Sequence, residues 1–293
     1  MGKRGISFMV ANRWVVTGLI LTILLVGILL LVNFARKAEP VSDNRGDWLT
    51  ESWIAHRGLH DDKTPENTIA AFYGAIEKGC PIELDVTLTK DEQVVVFHDK
   101  KLKRLFGVDG DVLDMTYDEL AKLEFPGSTE RIPLFSEVLK VVDGQVPLLI
   151  EIKNEGAVGE LERLTYEELK DYNGQYAIQS FNPYSVKWFR TNAPDVLRGQ
   201  LAGSFIVSDY DVENAGTTRL PWYKKFVLSN MLMNFESRPN FIAYEIKNDG
   251  YKAFKGLKKL GVPVLGWTVD SQATYQKAKN ECDNLIVDTF DLE

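Results

Sequence analysis

The stretch "PIELDVTLTKDEQVVVFHD", residues 81–99, carries two apolar runs joined by a polar turn. Only Thr87 to Gln93 lie between the runs, too few for the crossover helix that parallel strands require, so the runs are expected to pair as an antiparallel hairpin. Centring the turn on Asp91 and Glu92 sets Asp85 opposite His98, and a slip of one residue would turn His98 to the other face. Within "IELDV" the period of two puts Glu83 and Asp85 on one face and Ile82, Leu84 and Val86 on the other. "PLLIEIK" (147–153) repeats the pattern, with Glu151 and Lys153 beside Leu149 and opposite Leu148, Ile150 and Ile152.

Outward from these two strands, "WIAHR" (53–57), "YAIQSF" (176–181), "LRGQLA" (197–202), "FIAYEI" (241–246), "VPVLGWTV" (262–269) and "NLIVDT" (284–289) read as six more, with helical patterns between most of them. Eight strands over residues 51–293 suit a (β/α)8 barrel with a short hairpin inserted after strand 2; a doubly wound α/β sheet is the alternative. The first helix is read from "TPENTIAAFYGAIEKG", with Thr64 as N-cap, Pro65 at its first position and Gly79 as its stop. Ile69, Phe72, Tyr73 and Ile76 would form its core-facing stripe.

Before the barrel come a short basic tail (1–14), an uncharged apolar run (15–34) and a polar linker (35–50). The run "VVTGLILTILLVGILLLVNF" has the length of a transmembrane helix and lacks a small-residue cleavage pattern at its exit, so it reads as an uncleaved, single-pass anchor in the cell membrane. Lys3, Arg4 and Arg13 are matched by Arg36, Lys37 and Arg45, which leaves the charge rule tied; a short tail followed by a long domain favours an extracytoplasmic barrel. Residues beyond 50 hold 28 basic and 39 acidic groups, a net −11, which speaks against a nucleic-acid partner. Cys80 and Cys282 fit no metal or disulfide pattern and read as small buried residues.

In a barrel the aliphatic strand faces meet the outer helices, so Glu83, Asp85 and Glu151 point into the mouth. One such strand alone is more often a solvated face, but two strands share the pattern. Buried carboxylates this close strongly disfavour joint ionisation unless a cation sits among them, and an oxygen-only set suits Mg²⁺ or Ca²⁺ better than zinc. His56 and Arg57 end the first strand, where barrel residues face the catalytic side, and Arg57 offers a planar fork for an anion. Glu66 sits at a helix start and can brace Arg57 or His56. The long connection 204–240, with "LPWYKKFVLSNMLMNF", is expected to hold a normally packed barrel helix; a lid or bilayer contact is the sharper reading.

"HRG", "PENT", "ELDVTLTKD", "VVVFHD", "LLIEIK", "QSF", "WTVD" and "LIVD", in this order over about residues 51–291, resemble the glycerophosphodiester phosphodiesterase family. The resemblance implies a (β/α)8 barrel that uses one divalent cation and two histidines to hydrolyse small glycerophosphodiesters to an alcohol and glycerol 3-phosphate. It assigns Glu83, Asp85 and Glu151 to the metal, His56 and His98 to acid–base work, with His56 taken as base, and Arg57 and Lys153 to the phosphate. Glu66 and Trp267 are expected around the substrate pocket. A phospholipase D-like activity on lysophospholipids and a non-catalytic membrane-tethered binding module are the rival functions. The sequence departs from the family at Glu92, where glycine is common, and at "LHDDK" (59–63), where His60 is expected to face solvent rather than line the glycerol pocket.

Overall fold

The structure is a computed structural model in which residues 3–154, 157–247 and 256–288 are described. Eight parallel strands close into a barrel: β1 (Ile54–Ala55), β2 (Ile82–Leu88), β4 (Leu148–Ile152), β5 (Tyr176–Ser180), β6 (Leu197–Ala202), β7 (Phe241–Glu245), β8 (Val264–Val269) and β9 (Asn284–Val287). Pairing of Ala55 with Ile82 on one side and Val287 on the other shuts the ring. β3 (Val94–Val96) hangs antiparallel from β2, as the short Thr87–Gln93 connection requires.

The barrel interior is filled by Ile54, Leu149, Ala177, Leu197, Phe241, Leu265 and Ile286, with Trp48 and Leu49 plugging its base. The opposite strand faces carry Ile82, Leu84, Val86, Ile150 and Ile152 into the layer of outer helices, where they meet Phe72, Phe135 and Val138. Alternation therefore sends the aliphatic side chains of β2 and β4 outward and their carboxylates inward.

Two local expectations are corrected. In the hairpin Val86 pairs with Val96 and Leu88 with Val94, so Asp85 stands opposite Phe97, whose N–H donates to the Asp85 carbonyl at 2.9 Å. The cause is a three-residue loop, Lys90–Glu92, closed by Thr89 and Gln93, with Glu92 in the left-handed region at φ 61°. His98 escapes the consequence of that slip because the strand ends at Val96.

The first barrel helix spans Ile69–Lys78 and is capped by Thr68, whose hydroxyl accepts from the Ala71 N–H, not by Thr64. Asp61 and Thr64 instead close a turn, and Asn67 at φ 57° breaks any helix started at Pro65. Gly79 ends it at φ 68°, as expected. Its buried stripe is Ala71, Phe72 and Ala75, flanked by Ile69 and Ile76, while Tyr73 is exposed. The expected last strand ends at Val287, and its Thr289 lies outside the described residues.

The N-terminal helix runs Lys3–Arg36, and within its Arg13–Arg36 portion an 18-residue window reaches a mean hydropathy of 3.0, so the helix is long and apolar enough to cross a membrane. The following segment is not a free stalk. The Glu39 N–H donates to the Pro239 carbonyl, the Glu39 carboxylate pairs with Arg198, and Trp48 and Leu49 are buried in the barrel base, because these apolar side chains close an otherwise open end. The connection after β6 reaches across to the hairpin side, where Lys100 and Lys101 N–H groups donate to the Ala215 carbonyl. It then forms the helix Trp222–Ser229, which leaves Trp222, Tyr223 and Phe226 exposed.

Candidate active site

At the C-terminal end of the barrel a cavity of about 60 Å³ is lined by His56, Arg57, Glu83, His98, Glu151 and Lys153, with Gln179, Phe181 and Trp267 on its far wall. Barrel register builds it. Asp85 pairs with Glu151 across β2 and β4, Glu151 pairs with Gln179 across β4 and β5, and Glu83 lies one inward position below Asp85. One oxygen from each of Glu83, Asp85 and Glu151 falls within 4.8 Å of the others, and all three residues are buried.

Cations ring this acidic trio. Lys153 Nζ lies 2.7 Å from Glu151 Oε1 and 3.2 Å from Asp85 Oδ1. Arg57 sits in the left-handed region at φ 56°, a conformation that costs a non-glycine residue about 1–3 kcal/mol, and so aims its N–H at Glu83 Oε2, 3.1 Å away. The Arg57 guanidinium reaches Glu66 at 2.6 Å and Asp85 at 3.4 Å. Asn67 donates to Asp85 Oδ2 at 2.8 Å, and Gln179 donates to Glu83.

Burial, followed by repulsion from Asp85 and Glu151, pushes the Glu83 carboxyl well above its ordinary range. Burial likewise pushes Glu151 up to about 7 against the pull of Lys153. Asp85 is held far down: burial works to raise it, but Lys153, His98, Arg57 and the Asn67 hydrogen bond outweigh that. A trio that cannot ionise together without help, built from oxygen donors alone, fits a hard divalent cation.

The two histidines sit in different settings. His98 Nδ1 lies 2.6 Å from Asp99, a buried carboxylate that also accepts from Arg104. Burial, Arg57 and Lys153 hold His98 down to about 4. His56, lowered by burial and by Arg57, has its Nδ1 3.8 Å from Asp288 at the end of β9. Glu66, expected chiefly at a helix start, instead joins the two arginines: Arg104 clasps it with bonds of 2.7 and 2.9 Å while Arg57 holds the same carboxylate. A continuous chain thus runs His98–Asp99–Arg104–Glu66–Arg57–Asp85.

His60 is partly covered rather than fully exposed: its Nε2 lies 2.6 Å from Asp288 Oδ1, just beyond β9. Trp267 stacks edge-on against Phe181 at 5.5 Å, and Phe181 against Phe205 at 5.7 Å, giving the cavity one apolar wall. Sequence reasoning missed Asn67, Asp99, Arg104 and Asp288. Asp99 follows His98 directly and Asp288 ends a strand in the "LIVD" fragment, so both left a signal; Arg104 left none.

The sequence model described as the Glycerophosphoryl diester phosphodiesterase family matches residues 56–292. A glycerophosphodiester phosphodiesterase of Caldanaerobacter subterraneus subsp. tengcongensis is 34% identical over 254 residues, which cover 80% of this chain and 93% of that protein. A lysophospholipase D of Rattus norvegicus is 43% identical over 113 residues, 34% of this chain and 35% of that protein. An Oleispira antarctica phosphodiesterase solved in complex with the product sn-glycerol-3-phosphate has a TM-score of 0.66 at 22% identity, covering 82% of this chain and 93% of that one. This last likeness is one of fold.

Proposed function

The chain belongs to the glycerophosphoryl diester phosphodiesterase family, and from that membership we propose that it is a membrane-anchored hydrolase releasing an alcohol and glycerol 3-phosphate from glycerophosphodiesters. The observation that carries the reading is the gathering of three carboxylates, two histidines, an arginine and a lysine around one cavity at the barrel's C-terminal end.

Glu83, Asp85 and Glu151 would hold one divalent cation, Mg²⁺ or Ca²⁺, which when bound supplies charge neutralisation at a phosphate oxygen. Arg57 and Lys153 receive the anionic diester and stabilise charge that builds on phosphorus. His56 takes the proton of the attacking hydroxyl, from water or from the neighbouring glycerol, as the new P–O bond forms; where glycerol attacks, the product is a cyclic phosphate that water then opens to glycerol 3-phosphate. His98 gives a proton to the leaving alkoxide as the old P–O bond breaks. The diester's charge offsets Arg57 and Lys153, the cations that hold His98 down in the free protein, and Asp99 at 2.6 Å then favours its imidazolium. Glu66 and Arg104 fix Arg57, and Trp267 with Phe181 forms the wall for the glycerol or head group.

A second reading, cleavage of lysophospholipids in the phospholipase D manner, is favoured by the partial likeness to the rat lysophospholipase D and by the apolar wall of the cavity. Choline release from glycerophosphocholine beside lysophosphatidylcholine separates the two: faster turnover of the first supports the main reading, and turnover of the second alone overturns it. Anchorage through residues 15–34 is supported by the length and hydropathy of the N-terminal helix, and placement of the barrel outside the cytoplasm by the short basic tail ahead of it and the long domain behind it. Protease digestion of intact cells tests it, and a barrel cut only after lysis would reverse the orientation.

A further inference from the structure

A second cluster of ligating side chains stands on the rim of the same mouth. His60 Nε2 lies 2.6 Å from Asp288 Oδ1, His56 Nδ1 lies 3.8 Å from the same oxygen, and one ligand atom from each of the three residues falls within 4.8 Å of the others. Both ring nitrogens are buried and both face the Asp288 carboxylate. The three residues are each only partly covered, unlike the fully buried acidic trio.

The donor set differs in kind from the acidic trio. Two imidazoles and a carboxylate are the ligands of borderline transition metals, whereas three carboxylates suit a hard cation. In a regular tetrahedron with bonds of about 2.0–2.2 Å the ligand atoms stand about 3.3–3.6 Å apart. Reaching that geometry opens the His60–Asp288 contact from 2.6 Å and closes the His56–Asp288 contact from 3.8 Å, each by less than about 1 Å.

We propose that His56, His60 and Asp288 form a second metal site, selective for a transition metal such as Zn²⁺, whose occupancy shuts off hydrolysis. The inhibitory part rests on the reading of His56 as base. With a metal on Nδ1, the neutral ring carries its proton on Nε2, and the nitrogen that must accept a proton has no free lone pair. The two sites would then take opposite roles, the acidic trio supporting turnover and the rim cluster stopping it.

The test uses the full chain in detergent micelles with the acidic trio saturated by Mg²⁺. Co²⁺ added as the probe should give the intense visible d–d bands of a tetrahedral site, and Zn²⁺ should bleach them. His60→Gln should abolish the bands and raise the Zn²⁺ concentration for half-inhibition by about 100-fold, while leaving the Mg²⁺-supported hydrolysis rate measured without Zn²⁺ or Co²⁺ unchanged. His60→Cys, which supplies a thiolate, should restore Co²⁺ binding with a shifted spectrum. Bands that are absent, or identical in wild type and His60→Gln, overturn the site. Bands that depend on His60 without inhibition by Zn²⁺ leave the site standing and overturn the assignment of His56 as base.

Discussion

Asp85 and Glu151 stand opposite each other on neighbouring parallel strands, and Lys153 bridges them from the rim at 3.2 and 2.7 Å. In the free protein this lysine supplies the positive charge that two buried carboxylates demand, and any divalent cation entering the trio competes with it.

That competition has a pH signature. Glu83 is held well above its ordinary range and Glu151 is pushed up to about 7, so both keep protons in the fold that they lose when unfolded. Carboxyls raised in the folded state contribute stability below their ordinary pKa and lose it as pH rises toward the folded value. A cation must displace those protons, so its affinity climbs over this window and levels off above it. The rise in Tm on adding Mg²⁺ should be larger at about pH 8 than at about pH 5.5; equal rises at both would contradict the linkage.

Replacing Glu83 by Gln imitates the protonated side chain without the ability to ionise. The fold should tolerate it, with Tm of the metal-free protein within a few degrees of wild type. Hydrolysis should fall by about 10²–10³-fold, the usual cost of losing one electrostatic partner of the transition state. Calorimetric melting beside a glycerophosphocholine assay reads both, and full activity would remove Glu83 from the site.

The acid and base differ in their dependence on the leaving group. His98→Asn should slow glycerophosphocholine hydrolysis by about 10²–10⁴-fold yet spare a p-nitrophenyl diester, whose phenolate leaves without protonation. His56→Asn should slow both alike. The opposite pattern would exchange the two roles.

Much of this arrangement is legible in the sequence because it follows from alternation. Glu83, Asp85, Glu151 and Lys153 occupy inward positions on strands whose other faces are aliphatic, and no tertiary knowledge is needed to align them. His98 was placed beside Asp85 from a two-residue turn, whereas the left-handed Glu92 makes a three-residue loop and moves the register by one. Thr64 resembles a cap, but Asn67 in the left-handed region delays the helix to Ile69 and thereby turns its amide onto Asp85. The bracing by Arg104 and the His60–Asp288 contact join segments far apart in the chain, and no local pattern encodes them.

Arg104 gives a prediction that follows from that hidden contact. It is the shared partner of Glu66 and Asp99, and Arg104→Met leaves Glu66 to Arg57 alone and Asp99 to His98 alone. Removing one partner of a buried ion pair costs about 3–5 kcal/mol, and the partial exposure of Arg104 reduces this to about 2–3 kcal/mol. Urea denaturation should register that loss. Arg104→Lys should recover only part of it, because a single ammonium cannot clasp both carboxylates in bidentate fashion. Unchanged stability would mean that the network is not a brace.

The central claim is that the acidic trio at the barrel mouth holds a divalent cation on which phosphodiester hydrolysis depends. Glycerol 3-phosphate released from glycerophosphocholine by the full chain should vanish in EDTA, return with added Mg²⁺ or Ca²⁺, and fail to return in Asp85→Asn. Release that continues undiminished in EDTA, or that survives in Asp85→Asn, would contradict the account.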